Sequence, residues 1–115
     1  MHVVHEGADG RSTLATRVET ADSFLARTRG LMFRRSIPEE FALAFRFSGA
    51  ATRDVHMLFV PFPIDVVWVV DERVRRTETL SPWTGMASAE ADLLVELPAG
   101  RAAAVDEGDR VFLAE

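Results

Sequence analysis

Residues 56–71 read His56-Met57-Leu58-Phe59-Val60-Pro61-Phe62-Pro63-Ile64-Asp65-Val66-Val67-Trp68-Val69-Val70-Asp71. The second half is a short apolar run rich in β-branched and aromatic residues, and it reads as a strand. Pro61-Phe62-Pro63 punctuates it from the first half. The reading is therefore two strands, Arg53 to Val60 and Ile64 to Asp71, folded as a hairpin. With the turn centred on Pro61-Phe62, Phe59 faces Ile64, Leu58 faces Asp65, Met57 faces Val66 and His56 faces Val67. Side chains alternate along a strand, so His56, Leu58, Asp65 and Val67 share a face, with His56 and Asp65 as diagonal neighbours. Met57 to Val70 is the longest apolar stretch, and Pro61, Pro63 and Asp65 break it well short of a membrane span.

The rest of the chain extends the β pattern on both sides. Met1 to Glu6 and Thr13 to Val18 form a hairpin about the turn Gly7-Ala8-Asp9-Gly10. Ala42 to Phe47 alternates, and Gly49 ends it. Asp71-Glu72-Arg73 is a tight turn into Val74 to Leu80. Ser81 to Ser88 is a loop carrying Pro82, Trp83, Gly85 and Met86. Leu93 to Leu97 is closed by Pro98-Ala99-Gly100, Arg101 to Ala104 reads as one helical turn, and Glu107-Gly108-Asp109 precedes Val111 to Ala114. One α-helix is expected, from an N-cap at Thr20 through Ala21, Phe24 and Leu25 to an αL stop at Gly30. The fold class is mainly β: a single domain over 1–115, an antiparallel β-sandwich or barrel-like domain of about eight short strands with one short helix in its N-terminal half.

Composition narrows the chemistry. The 115 residues include no Lys, Cys, Tyr, Asn or Gln, and all 13 basic residues are Arg. That excludes thiol nucleophiles, Schiff-base and P-loop lysines, Cys-based metal sites and disulfides. The missing Lys, Asn and Tyr share AT-rich codons, so a GC-rich genome accounts for the bias, with a salt-loving source as the alternative. The net charge of −5 argues against a nucleic-acid grip. Met1 to Glu6 has neither a basic n-region nor an apolar h-region, and a cytoplasmic chain that does not engage a membrane is expected.

Several residues invite a functional reading. A carboxylate beside an imidazole orients it or raises its pKa, so His56 with Asp65 offers a hydrolase-like alternative; the competing reading is a structural pair. Asp65, in an apolar strand, needs a partner, and Arg27, Arg34 and Arg53 are the preferred cations. Arg27, Arg29, Arg34 and Arg35 crowd nine positions, suited to a carboxylate or phosphate on a partner or simply to helix-end and loop solvation. His2 and His5 fall on opposite strand faces, so joint metal ligation is not expected. Trp83 is either an exposed binding aromatic or a plug packed on the end of the domain. No catalytic constellation, metal site or cofactor motif is expected. The favoured role is a non-enzymatic binding module for a small anionic ligand or a peptide, using Arg27, Arg34, Asp65 and His56 with Trp83 at the rim. A protein-interaction or assembly domain is a further alternative, and the oligomeric state is left open.

Three separated segments resemble one family. They are Phe24-Leu25-Ala26-Arg27-Thr28-Arg29-Gly30-Leu31-Met32-Phe33-Arg34, His56 to Trp68, and Val95-Glu96-Leu97-Pro98-Ala99-Gly100 followed by Gly108-Asp109. In this order and spacing they resemble the domain of unknown function 192, also called uncharacterised protein family 0127, from about Ala15 to Leu113. The resemblance implies a compact β-sandwich or barrel-like fold with a helix near the N-terminus, and it supplies no activity. It implies exported members with a signal or anchor, which Met1 to Glu6 does not show. The motif positions it carries over are Arg27, Gly30, Leu31, Met32, Arg34, Met57, Asp65, Glu96, Gly100, Gly108 and Asp109. The glycines read as turn positions and Leu31, Met32 and Met57 as core. Arg27, Arg34, Asp65 and Glu96 remain as the polar set.

Overall fold

A computed structural model describes residues 1–21 and 31–115. Its strands are β1 (His2–Gly7), β2 (Gly10–Ala15), β3 (Arg17–Thr20), β4 (Phe41–His56), β5 (Ile64–Val70), β6 (Arg73–Leu80), β7 (Met86–Pro98) and β8 (Arg110–Ala114). They form one mixed sheet in the order β2-β1-β8-β6-β5-β7-β4-β3. The mainly β class and the strand number match the sequence reading. The wholly antiparallel sandwich or barrel does not: the strands make one sheet, and β3 pairs with β4 in parallel. No helix occurs among the described residues. The helix expected from Thr20 lies, beyond Thr20 and Ala21, outside them; Thr20 itself ends β3, and Ala21 N–H donates to Ala44 O at 2.9 Å.

β5 is the centre of the fold because both its edges and both its faces are occupied. β6 and β7 flank it in antiparallel register, with Ile64 opposite Leu80 on one side and Pro98 on the other. Ile64, Val66 and Trp68 enter one core with Phe41, Leu43, Phe45, Met57 and Leu94. Val67 and Val69 enter a second core with Val3, Val74, Val95, Leu97 and Val111. Removing such side chains from water stabilises the fold by about 1.5–3 kcal/mol each. The Trp68 ring is fully buried, and its indole N–H is satisfied by Arg53 O at 2.9 Å.

The hairpin expected between 53–60 and 64–71 does not form. β7 lies between β4 and β5, and His56 is opposite Met86 rather than Val67. The chain leaves β4 through a tight turn, closed by Val60 N–H to Met57 O at 2.9 Å, so Pro61-Phe62-Pro63 belongs to a crossing connection. Gly49 does not end a strand either. β4 runs on through it, with residues 47–50 bulging opposite Asp92 as the register passes from Arg46–Leu93 to Ala51–Ala91. The loop expected through Ser88 ends early, because Met86 already begins β7. At the N-terminal hairpin, the second expected strand divides at Thr16 into β2 and β3, which sit at opposite ends of the sheet order. Thr16 and Arg17 both donate to Glu40 O at 3.0 Å at that corner.

Candidate functional site

Three turns meet beyond the end of β4 and hold an aromatic residue each. Arg34 N–H donates to Leu31 O at 3.3 Å, which puts Phe33 third in a four-residue turn. The Met57–Val60 turn puts Phe59 in the same place. Trp83 sits inside a loop closed by Gly85 N–H to Ser81 O at 3.0 Å. All three aromatics have positive φ: 66° at Phe33, 63° at Phe59 and 65° at Trp83. Such positions favour Gly or Asn, and a bulky residue there costs about 1–2 kcal/mol. The strain is held by the turns bonding to one another. Phe33 N–H donates to Phe59 O at 2.8 Å and Trp83 N–H to Val60 O at 3.1 Å. Gly85 permits the close loop, since a Cβ there would lie 2.7 Å from Ser81 O.

The result is a ladder of exposed rings. Phe33 stacks on Phe59 with centroids 5.0 Å apart, and Phe59 meets Trp83 edge-on at 6.1 Å. Phe33 is 73% exposed and Trp83 52%. Leu58 and Met86 are exposed as well, and His56, opposite Met86, is exposed with Nδ1 accepting from Leu58 N–H at 3.3 Å. Arg34 follows Phe33, its guanidinium 3.4 Å from Glu19 and 5.2 Å from the Phe41 ring centroid. Arg35 is exposed and makes no ion pair among the described residues. Since Phe33 is so exposed, relief of backbone strain offsets the lost ring contact. Phe33→Gly is expected to leave the unfolding free energy within about 0.5 kcal/mol of the parent in urea melts.

The remaining expected site residues are placed elsewhere. Asp65 is buried and has no arginine partner among the described residues. One carboxylate oxygen accepts from Thr79 Oγ1 at 2.6 Å, the other from Gly100 N–H and Ala102 N–H at 2.9 Å each. It thus fastens the turn after β7 to the sheet centre. Arg53 instead donates to Gly49 O and Ala91 O and lies over the Phe47 ring. His56 and Asp65 keep separate partners, so the paired geometry that a hydrolase-like reading needs is not formed. Arg27 and Gly30 lie outside the described residues. Leu31 and Met57 are core, Met32 is half-buried against it, and Gly100 and Gly108 take the positive φ expected of turn glycines.

Two polar features exceed the sequence reading. Glu96 is buried between Leu43 and Val66. Burial pushes its carboxyl up to about 7, and the charge of Arg34 acts in the opposite direction. His5, also buried, is 2.8 Å from Asp109 through Nε2, although the two are 104 positions apart. That hydrogen bond, helped by Asp106 N–H at 3.0 Å, holds the Asp109 carboxyl below its ordinary range. Gly7 makes room for the pair: a Cβ there would lie 2.8 Å from both Asp109 Oδ2 and His5 Nε2. Gly7→Ala is therefore expected to separate them and cost about 1–3 kcal/mol in a thermal or urea melt. Among the described residues, no group of three or more His, Asp or Glu is placed to hold a metal ion, and no helix is long and apolar enough to cross a membrane.

Residues 4–113 match the profile of DUF192, described as an uncharacterized ACR family. The chain belongs to this family. A DUF192 relative from Thermococcus kodakarensis, the UPF0127 protein TK1120, is 31% identical over 99 residues, covering 83% of this chain and 63% of its own length. A UPF0127 protein from Thermococcus gammatolerans is 32% identical over 98 residues, covering 82% and 64%. The chain thus spans less than two thirds of the length of these relatives. A crystal structure of a protein of unknown function from Novosphingobium aromaticivorans superimposes with a TM-score of 0.86 at 25% identity, covering 98% of this chain and 84% of that one. The DUF192 fold and membership are thereby fixed, and the family has no characterised function.

Proposed function

We propose that this DUF192 chain is a non-enzymatic binding module whose docking surface is the Phe33–Phe59–Trp83 ladder, and that its ligand is a peptide with an apolar anchor beside acidic residues. The observation that carries this reading is the strain. Three bulky aromatics occupy backbone positions that favour glycine, in three turns bonded to one another, and the outcome is solvent-exposed rings. Strain held in this way clusters at functional surfaces, and exposed aromatics are the residues on which binding energy concentrates. Arg34 and Arg35 supply the charge that an acidic flank would meet, which accommodates the anionic ligand expected from the sequence. Asp65 is left out, because its acceptors serve the fold.

The test is selection of displayed peptides against the immobilised chain, followed by titration monitored through Trp83 fluorescence. Selected peptides are expected to carry Phe, Trp or Leu next to Asp or Glu. Phe59→Ala should weaken them at least about tenfold. Arg35→Ala should have a smaller effect that fades as salt rises, as exposed charges do. Selected peptides that bind Phe59→Ala and Trp83→Ala as tightly as the parent would contradict the reading. Concentration-dependent light scattering abolished by Phe59→Ala would make the occupant a second copy of the chain.

A further inference from the structure

A second site lies beside the bulge that interrupts β4's pairing with β7, where Arg46, Asp71, Asp92, Leu93 and Leu113 line a cleft of about 280 Å³. None of the ladder residues contributes to it. We propose that this cleft binds a free α-amino acid with an apolar side chain, the ammonium and carboxylate being read together.

Strand irregularities lie at and near the cleft. β4 bulges over 47–50, just after Arg46, and the β5–β6 register shifts at Trp68/Val69. Bulges re-aim side chains, and they gather beside functional sites. Between β5 and β6, Asp71 and Glu72 form the hairpin turn with φ of 49° and 65°. A two-residue turn of this hand favours Asn-Gly; two carboxylates are kept here instead. Glu72 is engaged by Arg110, whose guanidinium also lies over the Phe112 ring, 4.5 Å from its centroid. Asp71 and Asp92 are drawn together, Asp71 N–H donating to Asp92 Oδ2 at 3.0 Å, and neither carboxylate forms an ion pair among the described residues. Arg46, which also lines the cleft, is exposed, and its side chain likewise makes no ion pair or hydrogen bond among them. Leu93 and Leu113, half-buried at the rim of the second core, provide the apolar wall.

This lining selects a ligand by its charges. A carboxylate suits the planar fork of Arg46, but a plain anion would face Asp71 and Asp92. An ammonium suits those two carboxylates, but a plain cation would face Arg46. A molecule carrying both groups on one carbon, with an apolar side chain toward Leu93 and Leu113, satisfies all of them. The volume lies at the small end of ligand pockets, near about 300 Å³, and fits one amino acid better than a nucleotide or an extended peptide.

The experiment is an amide NMR titration of the whole chain with L-phenylalanine, run beside 3-phenylpropionate, which lacks the amine, and 2-phenylethylamine, which lacks the carboxylate. L-phenylalanine is expected to give saturable shifts at Arg46, Asp71, Asp92, Leu93 and Leu113 within about 10 mM, with each analogue at least about tenfold weaker. Arg46→Ala and Asp71→Asn, both at exposed positions, should each weaken L-phenylalanine about tenfold, and Phe59→Ala should leave it unchanged. No saturable shift, equal binding by either analogue, or shifts centred on the ladder would overturn the assignment.

Discussion

Asp65→Ala is expected to cost about 3–5 kcal/mol of folding stability, read as a fall in the urea midpoint with an unchanged slope. The size follows from where the carboxylate sits. Asp65 is on the central strand, and it accepts hydrogen bonds from the Thr79 hydroxyl and from the backbone N–H groups of Gly100 and Ala102. Removing it leaves two backbone donors without their acceptor beside a second core that includes Leu97, Ala102 and Val105. A domain of this size has about 5–15 kcal/mol in total, so the variant is expected to be marginal at physiological temperature. Thr79→Val isolates a single bond and should cost about 1–2 kcal/mol. Amide exchange at Gly100 and Ala102 should accelerate in Asp65→Ala before exchange at Val66 does, because the turn is released first. A loss below about 1 kcal/mol in Asp65→Ala would show that the carboxylate does not anchor the turn.

Glu96 gives the second large effect, and its sign is unusual for a carboxylate. Its folded-state pKa is about 7, against an ordinary 4.5. Between those values the folded chain retains a proton that the unfolded chain has released. This group therefore stabilises the fold fully at pH below 4.5, and the contribution is lost as pH rises toward 7 and beyond. The shift corresponds to about 3 kcal/mol. Glu96→Gln keeps the shape and cannot ionise. The variant should match the parent near pH 4 and exceed it by about 3 kcal/mol above pH 8, on the order of 10 °C in Tm. Comparing the two proteins at each pH cancels the other titrating groups, including Asp109, whose stabilising bond to His5 is lost only as pH falls through its lowered pKa. Parallel pH profiles for parent and variant would contradict the placement of Glu96.

What was legible in the sequence is what local patterning encodes. The apolar run Ile64 to Val70, the turn at Asp71-Glu72, the turn glycines Gly100 and Gly108, and the Gly7–Gly10 hairpin all follow from periodicity and turn chemistry. The partner of each strand does not. Pro61-Phe62-Pro63 looks like a hairpin turn, but β7, more than 20 residues downstream, takes the position between β4 and β5. Inserting it separates His56 from Asp65. The part-buried His5–Asp109 pair spans nearly the whole chain and has no local signal at all. Trp83 was legible as a loop aromatic; Phe33 and Phe59 were not, since nothing in the chain marks a phenylalanine that will sit at positive φ. Gly at those positions would have announced the turns and removed the rings. Glu96 was singled out only through the family resemblance, and its burial depends on the register that sets it between Leu43 and Val66.

The claim that the aromatic ladder is the binding surface is tested most directly by amide NMR mapping of a selected acidic, aromatic peptide on the whole chain. Perturbations centred on Phe33, Phe59, Trp83 and Arg35, and absent in Phe59→Ala, are the predicted result. Saturable binding that leaves those four resonances unmoved would contradict it.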